Sequence, residues 1–114
     1  MQEKVLLAMF ETESSGIVAR NSIISNRSGI YKPDVTNIVT RLSSEGMCWF
    51  EPRVGIGLTY TGTEIAKAIF DKVEIIRSFL EKTLQLPREK IEQAALSMYN
   101  VVDNDVLDKM RSTM

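Results

Sequence analysis

A chain of 114 residues, 44% apolar and 25% charged, has room for one compact domain, or for a small domain with a helical extension. No apolar run approaches the ~20 residues of a membrane span. The N-terminal MQEKVLLAMFETES lacks a signal-peptide cleavage site, and the single cysteine, Cys48, excludes an internal disulfide and fits a reducing cytoplasmic setting. A formal net charge of −1 counts against a strongly basic nucleic-acid binder, so the placement of charges matters more than their number.

Leu6, Leu7, Met9 and Phe10 predict a first helix over about 3–12, which Ser14, Ser15 and Gly16 end. A short second helix follows over about 20–26 with Ile23 and Ile24 inward, and Ser28-Gly29 supplies a turn. The third helix is the clearest. Pro33 suits a first helical position, Val35, Ile38, Val39 and Leu42 make one buried stripe, and Gly46 is a C-terminal stop. Its opposite face, Pro33, Thr36, Asn37, Thr40 and Ser44, is polar and uncharged. Residues 47–51 and 56–59 read as short strands joined by a tip of Pro52-Arg53-Val54-Gly55. Trp49 reads as a partly buried strand residue and Cys48 as a small core hydrophobe.

Thr59 is placed to cap a long helix over about 60–85. Its apolar positions cover more than one narrow stripe, more than a small winged domain can bury, so part of them is expected to face a partner chain. Pro87 opens a further helix over about 87–100, and Asp103 caps a last short one containing Val106, Leu107 and Met110. With Asp105 and Asp108 nearby, that segment reads as a capped helix with surface acids rather than a cation loop. The fold class expected is mainly α with a small β-hairpin wing: a winged helix-turn-helix over 1–60, then a long helix and helical dimerisation region over 61–114. Such a fold commonly lays its third helix in the major groove of DNA. Catalysis finds little support: the chain has no histidine, no paired nucleophile and base, no glycine-rich phosphate loop and no metal cluster, and nothing marks two of its surface carboxylates as a pair.

Several fragments in order resemble one family: Val35-Thr36, Arg41-Leu42-Ser43-Ser44-Glu45-Gly46, Phe50-Glu51-Pro52, Gly55, Leu58-Thr59-Tyr60-Thr61-Gly62 with Ala66, then Phe79-Leu80 and Leu84-Gln85-Leu86. They are similar to the metal-dependent repressors typified by the diphtheria toxin repressor and the manganese transport regulator. The resemblance covers nearly the whole chain. It implies a winged-helix DNA-binding half and a helical dimerisation half, without the family's optional third domain. It also implies where metal ligands would fall: Val73 on the long helix, Ala95, Met98 and Tyr99 on the next, and Gln2 and Val5 at the N-terminus. None of these supplies imidazole, thiolate or carboxylate, so no metal or other cofactor is expected.

The expected function is therefore a cytoplasmic, homodimeric transcriptional regulator that binds a palindromic operator in double-stranded DNA and does not respond to metal. Tyr31, Lys32, Pro33, Thr36, Asn37 and Thr40 are candidates for base contact, since asparagine pairs with adenine and threonine methyls touch thymine methyls. Arg20, Arg27, Lys32 and Arg41 are candidates for phosphate, and Arg53 at the wing tip for phosphate or minor groove. Asp34 would repel phosphate, or serve as a first-turn acid stabilising the helix dipole. Ile69, Val73, Ile76, Phe79, Leu80, Ala94 and Met98 are candidates for dimerisation. Two alternatives stay open: a winged helix that contacts proteins rather than DNA, and a regulator that takes a small organic ligand.

Overall fold

The computed structural model describes residues 1–114 as six helices and one hairpin. In chain order these are α1 (Gln2–Ser14), α2 (Asn21–Ser28), α3 (Lys32–Ser44), β1 (Cys48–Glu51), β2 (Gly55–Leu58), α4 (Tyr60–Lys82), α5 (Arg88–Met98) and α6 (Asn104–Ser112). The chain forms two compact units, Met1–Ala68 and Ile69–Met114, whose boundary falls inside α4. The mainly α winged helix-turn-helix expected from the sequence is the fold observed.

In the first unit, α3 is held by its apolar stripe. Val35 and Leu42 are fully buried, and Ile38 and Val39 nearly so. Lys32 opens the helix, which puts Pro33 one position later than the sequence suggested, still among the first-turn residues whose N–H has no helical acceptor. Its end is a Schellman motif: Met47 N–H donates to Leu42 O (2.9 Å) and Gly46 N–H to Ser43 O (3.1 Å). Gly46 at φ +76° supplies the left-handed residue that motif requires. The hairpin is antiparallel with Cys48 opposite Leu58 and Trp49 opposite Gly57, and a bridge from Ala19 to Ile56 adds a third, minimal strand. Parity along β1 turns Cys48 into the core, where its Sγ donates to Val39 O (3.6 Å), and turns Trp49 outward. The half-exposed indole lies across Gly57, where any side chain would overlap the ring.

The corner between α3, the wing and α4 is the tightest place in this unit. Thr59 N–H donates to Met47 O (3.1 Å), and Thr59 Oγ1 donates to Gly46 O (2.7 Å) while accepting from Gly62 N–H (3.1 Å). Thr59 is thus the cap of α4 that its position predicted. Gly62 is packed so closely on the Met47 carbonyl that a Cβ there would overlap the oxygen. A second tie runs from α1. Both carboxylate oxygens of Glu13 accept from Leu58 N–H at 3.4 Å. Partial burial pushes the Glu13 carboxyl above its ordinary value of 4.5, against the opposing pull of that N–H.

In the second unit, the core is built from Val73, Ile76 and Leu80 of α4, Ile91 and Ala95 of α5, Tyr99, and Leu107 and Met110 of α6. Asp103 Oδ1 accepts from Val106 N–H (3.0 Å), the expected cap of α6. Arg77 makes a two-pronged pair with Glu92, Nε to Oε2 at 2.6 Å and Nη2 to Oε1 at 2.8 Å, and a further pair with Glu74 on its own helix.

Two outcomes check this packing. Gly62→Ala is expected to destabilise the chain by about 3 kcal/mol in urea unfolding, because the obstructing atom is a backbone oxygen that cannot step aside. Glu13 is held neutral more readily in the folded chain than in the unfolded one, so its ionised form costs stability above pH 4.5 and costs nothing below it. Glu13→Gln is therefore expected to raise the melting temperature at pH 7, with the gain shrinking to nothing as pH falls below 4.5; equal gains at both pH values would contradict it.

Candidate nucleic-acid interface

All ten residues singled out for DNA contact are exposed: Arg20, Arg27, Tyr31, Lys32, Pro33, Thr36, Asn37, Thr40, Arg41 and Arg53. None of the five cations among them, nor Lys32's neighbour Asp34, takes part in an ion pair. Arg20 is the residue that precedes α2, Lys32 the first of α3, and Arg53 the tip of the wing. The fold brings these three, from separate elements, around one groove of about 260 Å³, with Ser22 and Glu51 also in its wall. Unpaired guanidinium and ammonium groups converging on an open groove suit phosphate. Glu51 offsets one of their charges. Arg27 and Arg41 do not line this groove.

A second cavity of about 220 Å³ shares Asn21 and Phe50 with the first and is otherwise lined by Thr36, Val39, Thr40 and Ser43. Here the side chains are held from behind. Asn21 Nδ2 donates to Thr36 Oγ1 (2.9 Å), Thr36 Oγ1 donates to Lys32 O (3.3 Å), and Thr40 Oγ1 donates to Thr36 O (2.9 Å). Both threonine protons are therefore spent inside the chain. Asn37, one face round, makes no hydrogen bond and keeps its whole amide for an incoming group. Asn21 Oδ1 is shielded from solvent and has no partner, an acceptor left over by the fold.

Sequence reasoning missed Asn21, Ser22, Phe50 and Glu51. Alternation along β1 gives Phe50 the inward parity of Cys48 and so places it with the core; only the fold shows it 54% exposed, on the wall of both cavities. The candidates for dimerisation fall into two groups. Val73, Ile76 and Leu80 are buried within the chain itself, whereas Ile69, Phe79, Ala94 and Met98 keep part of their surface open.

The geometry matches known regulators. The chain superposes on the manganese regulator SloR with a TM-score of 0.82 over 98% of its length at 20% identity, and on the metal-dependent transcriptional regulator MtsR with 0.83 over 99% at 18%. The fold is that of the metal-dependent repressors. In sequence it is 32% identical over 80 residues to an uncharacterised helix-turn-helix transcriptional regulator of Methanocaldococcus jannaschii, a stretch that is 70% of this chain and 64% of that one. The chain spans about half the length of the two solved regulators, 52% and 53%, and just under two thirds of the archaeal relative. No protein-family model matches it.

The donor set does not fit the metal that this fold implies. Val73, Ala95 and Val5 are fully buried apolar residues, and Tyr99 is 7% exposed. Nowhere do three histidine, cysteine or carboxylate side chains gather as a metal cluster. The one thiol, Cys48, sits in the core, where burial pushes its pKa up and disfavours thiolate.

Arg53 is also held in a backbone conformation that a side chain disfavours. It occupies the third position of the Glu51–Val54 turn, closed by Val54 N–H to Glu51 O (3.0 Å), with φ +69°, where glycine is ordinarily found. A branchless residue there would relieve strain of about 1 kcal/mol. Arg53→Gly is expected to raise unfolding stability by about 0.5–1 kcal/mol while weakening binding of duplex DNA; a loss of stability with DNA affinity unchanged would show the arginine to be structural.

Proposed function

We propose that this chain is a homodimeric transcriptional regulator that holds a palindromic operator with the uncharged face of α3 and the cationic groove beside it. The observation that carries the reading is the convergence of unpaired Arg20, Lys32 and Arg53 on a groove that adjoins, through Asn21 and Phe50, the cavity lined by Thr36 and Thr40. Phosphates in the groove would set register, and α3 would present its polar face to base edges. Three to five cations per subunit are too few for tight binding alone, which favours two subunits on two half-sites. Ile69, Phe79, Ala94 and Met98 of the second unit offer apolar surface for that pairing, backed by the buried Val73, Ile76 and Leu80. DNA as partner agrees with the cytoplasmic location expected from the sequence, and no helix is long and apolar enough to cross a membrane.

The regulator is also proposed to work without metal, because Val73, Ala95, Met98, Tyr99, Gln2 and Val5, at the positions that would hold one, supply no imidazole, thiolate or carboxylate. A small organic effector finds less support: the cleft between the end of α4 and the start of α5 is lined largely by charged Arg77, Glu81, Arg88 and Glu92 rather than enclosed and apolar.

Enrichment of bound fragments from a random DNA pool, followed by gel-shift titration, tests the reading. An inverted repeat is expected, with affinity falling steeply in salt. Changing Arg20, Lys32 or Arg53 singly to Gln is expected to lower the log–log salt slope by about 1 per half-site. Manganese, iron, zinc or a chelator is expected to change affinity less than about twofold; tightening of about tenfold by metal overturns metal independence. Binding to no DNA, selected or random, overturns the whole reading in favour of a protein-contacting winged helix.

A further inference from the structure

We infer that Phe50 is a specificity-determining residue, and that with Thr36, Val39 and Thr40 it forms a slot for the 5-methyl group of a thymine. The inference rests on the DNA-binding reading and assigns the wing a share in reading base edges. Three observations lead to it. The cavity beside α3 adjoins the cationic groove through Asn21 and Phe50, so a strand whose phosphate lies in one brings its own sugar and base to the other. Asn21 and Ser43 are the polar members of the lining, and the other four residues present carbon or acceptor atoms. Val39 and Phe50 are apolar, and the protons of Thr36 and Thr40 are already donated to backbone carbonyls, which leaves these threonines methyl groups and acceptor lone pairs. In the major groove the one apolar group that projects from a base edge is the thymine methyl. The cavity, at about 220 Å³, admits a pyrimidine edge, and the ring of Phe50 stands 54% exposed at its wall, leaving apolar surface open to an incoming group.

The test uses the full chain and a duplex it has enriched from a random pool, with each thymine replaced in turn by deoxyuridine, which removes the methyl and nothing else. Competition binding is expected to show one thymine per half-site whose replacement weakens binding about fourfold, the factor that burial of a single methyl supplies. Phe50→Ala is expected to bind parent and substituted duplexes within about twofold of each other, and Phe50→Leu, which keeps an apolar wall, to retain most of the difference. If the wild-type protein binds the duplex with steep salt dependence but no substitution matters, the slot is wrong and the regulator reading stands. The same holds if Phe50→Ala, shown folded by circular dichroism, keeps the full difference. If no duplex is enriched and none is bound, the regulator reading fails and the slot fails with it.

Discussion

The first unit depends on the one-sided burial of α3. Four apolar residues sink one face of the helix into the core, and the opposite face is left with threonine, asparagine and proline. A helix buried all round, as α1 nearly is across Val5 to Met9, can only support its neighbours. α3 packs against α1, α2 and β1, and its polar side stays exposed at Thr36, Asn37 and Thr40 even though Asn21 of α2 reaches round to Thr36. What lies on that free side is then set by loop geometry. The start of α2, the start of α3 and the tip of the wing bring their cations to its edge, and the inward parity of β1 brings Phe50.

Much of this was legible because punctuation in the chain is local chemistry. Gly46, Pro33, Thr59 and Asp103 act where they stand, through a left-handed turn, a missing N–H and two side-chain caps. Boundaries were less legible. α4 ends at Lys82 and not near Gln85, and α5 spans Arg88–Met98, because fraying ends are decided by packing as much as by propensity. The break between compact units falls inside α4, at Ala68, whereas the sequence invites a break where the helix begins. Nothing in the local pattern marks a helix that serves two cores in succession.

The candidate site was legible one residue at a time but not as a site. Arg20, Lys32 and Arg53 are far apart in sequence, and only the fold shows that they share a groove while Arg27 and Arg41 do not. Charge counting also hid it: a near-neutral total is compatible with a locally cationic groove when Glu51 is the one acid in its wall and Asp34 stands outside it in the first turn of α3. Apolar excess in α4 was readable as a surplus, yet only burial separates Val73, Ile76 and Leu80, which the chain consumes itself, from Ile69 and Phe79, which stay partly open.

Trp49 is the chain's one tryptophan, and it rests on Gly57 at the surface of the hairpin. Its emission therefore originates wholly from the wing. Excitation at the red edge of the indole band, where the three tyrosines do not absorb, would report on that hairpin alone without any label being attached. The molecule thus carries a built-in optical gauge of the wing's surroundings.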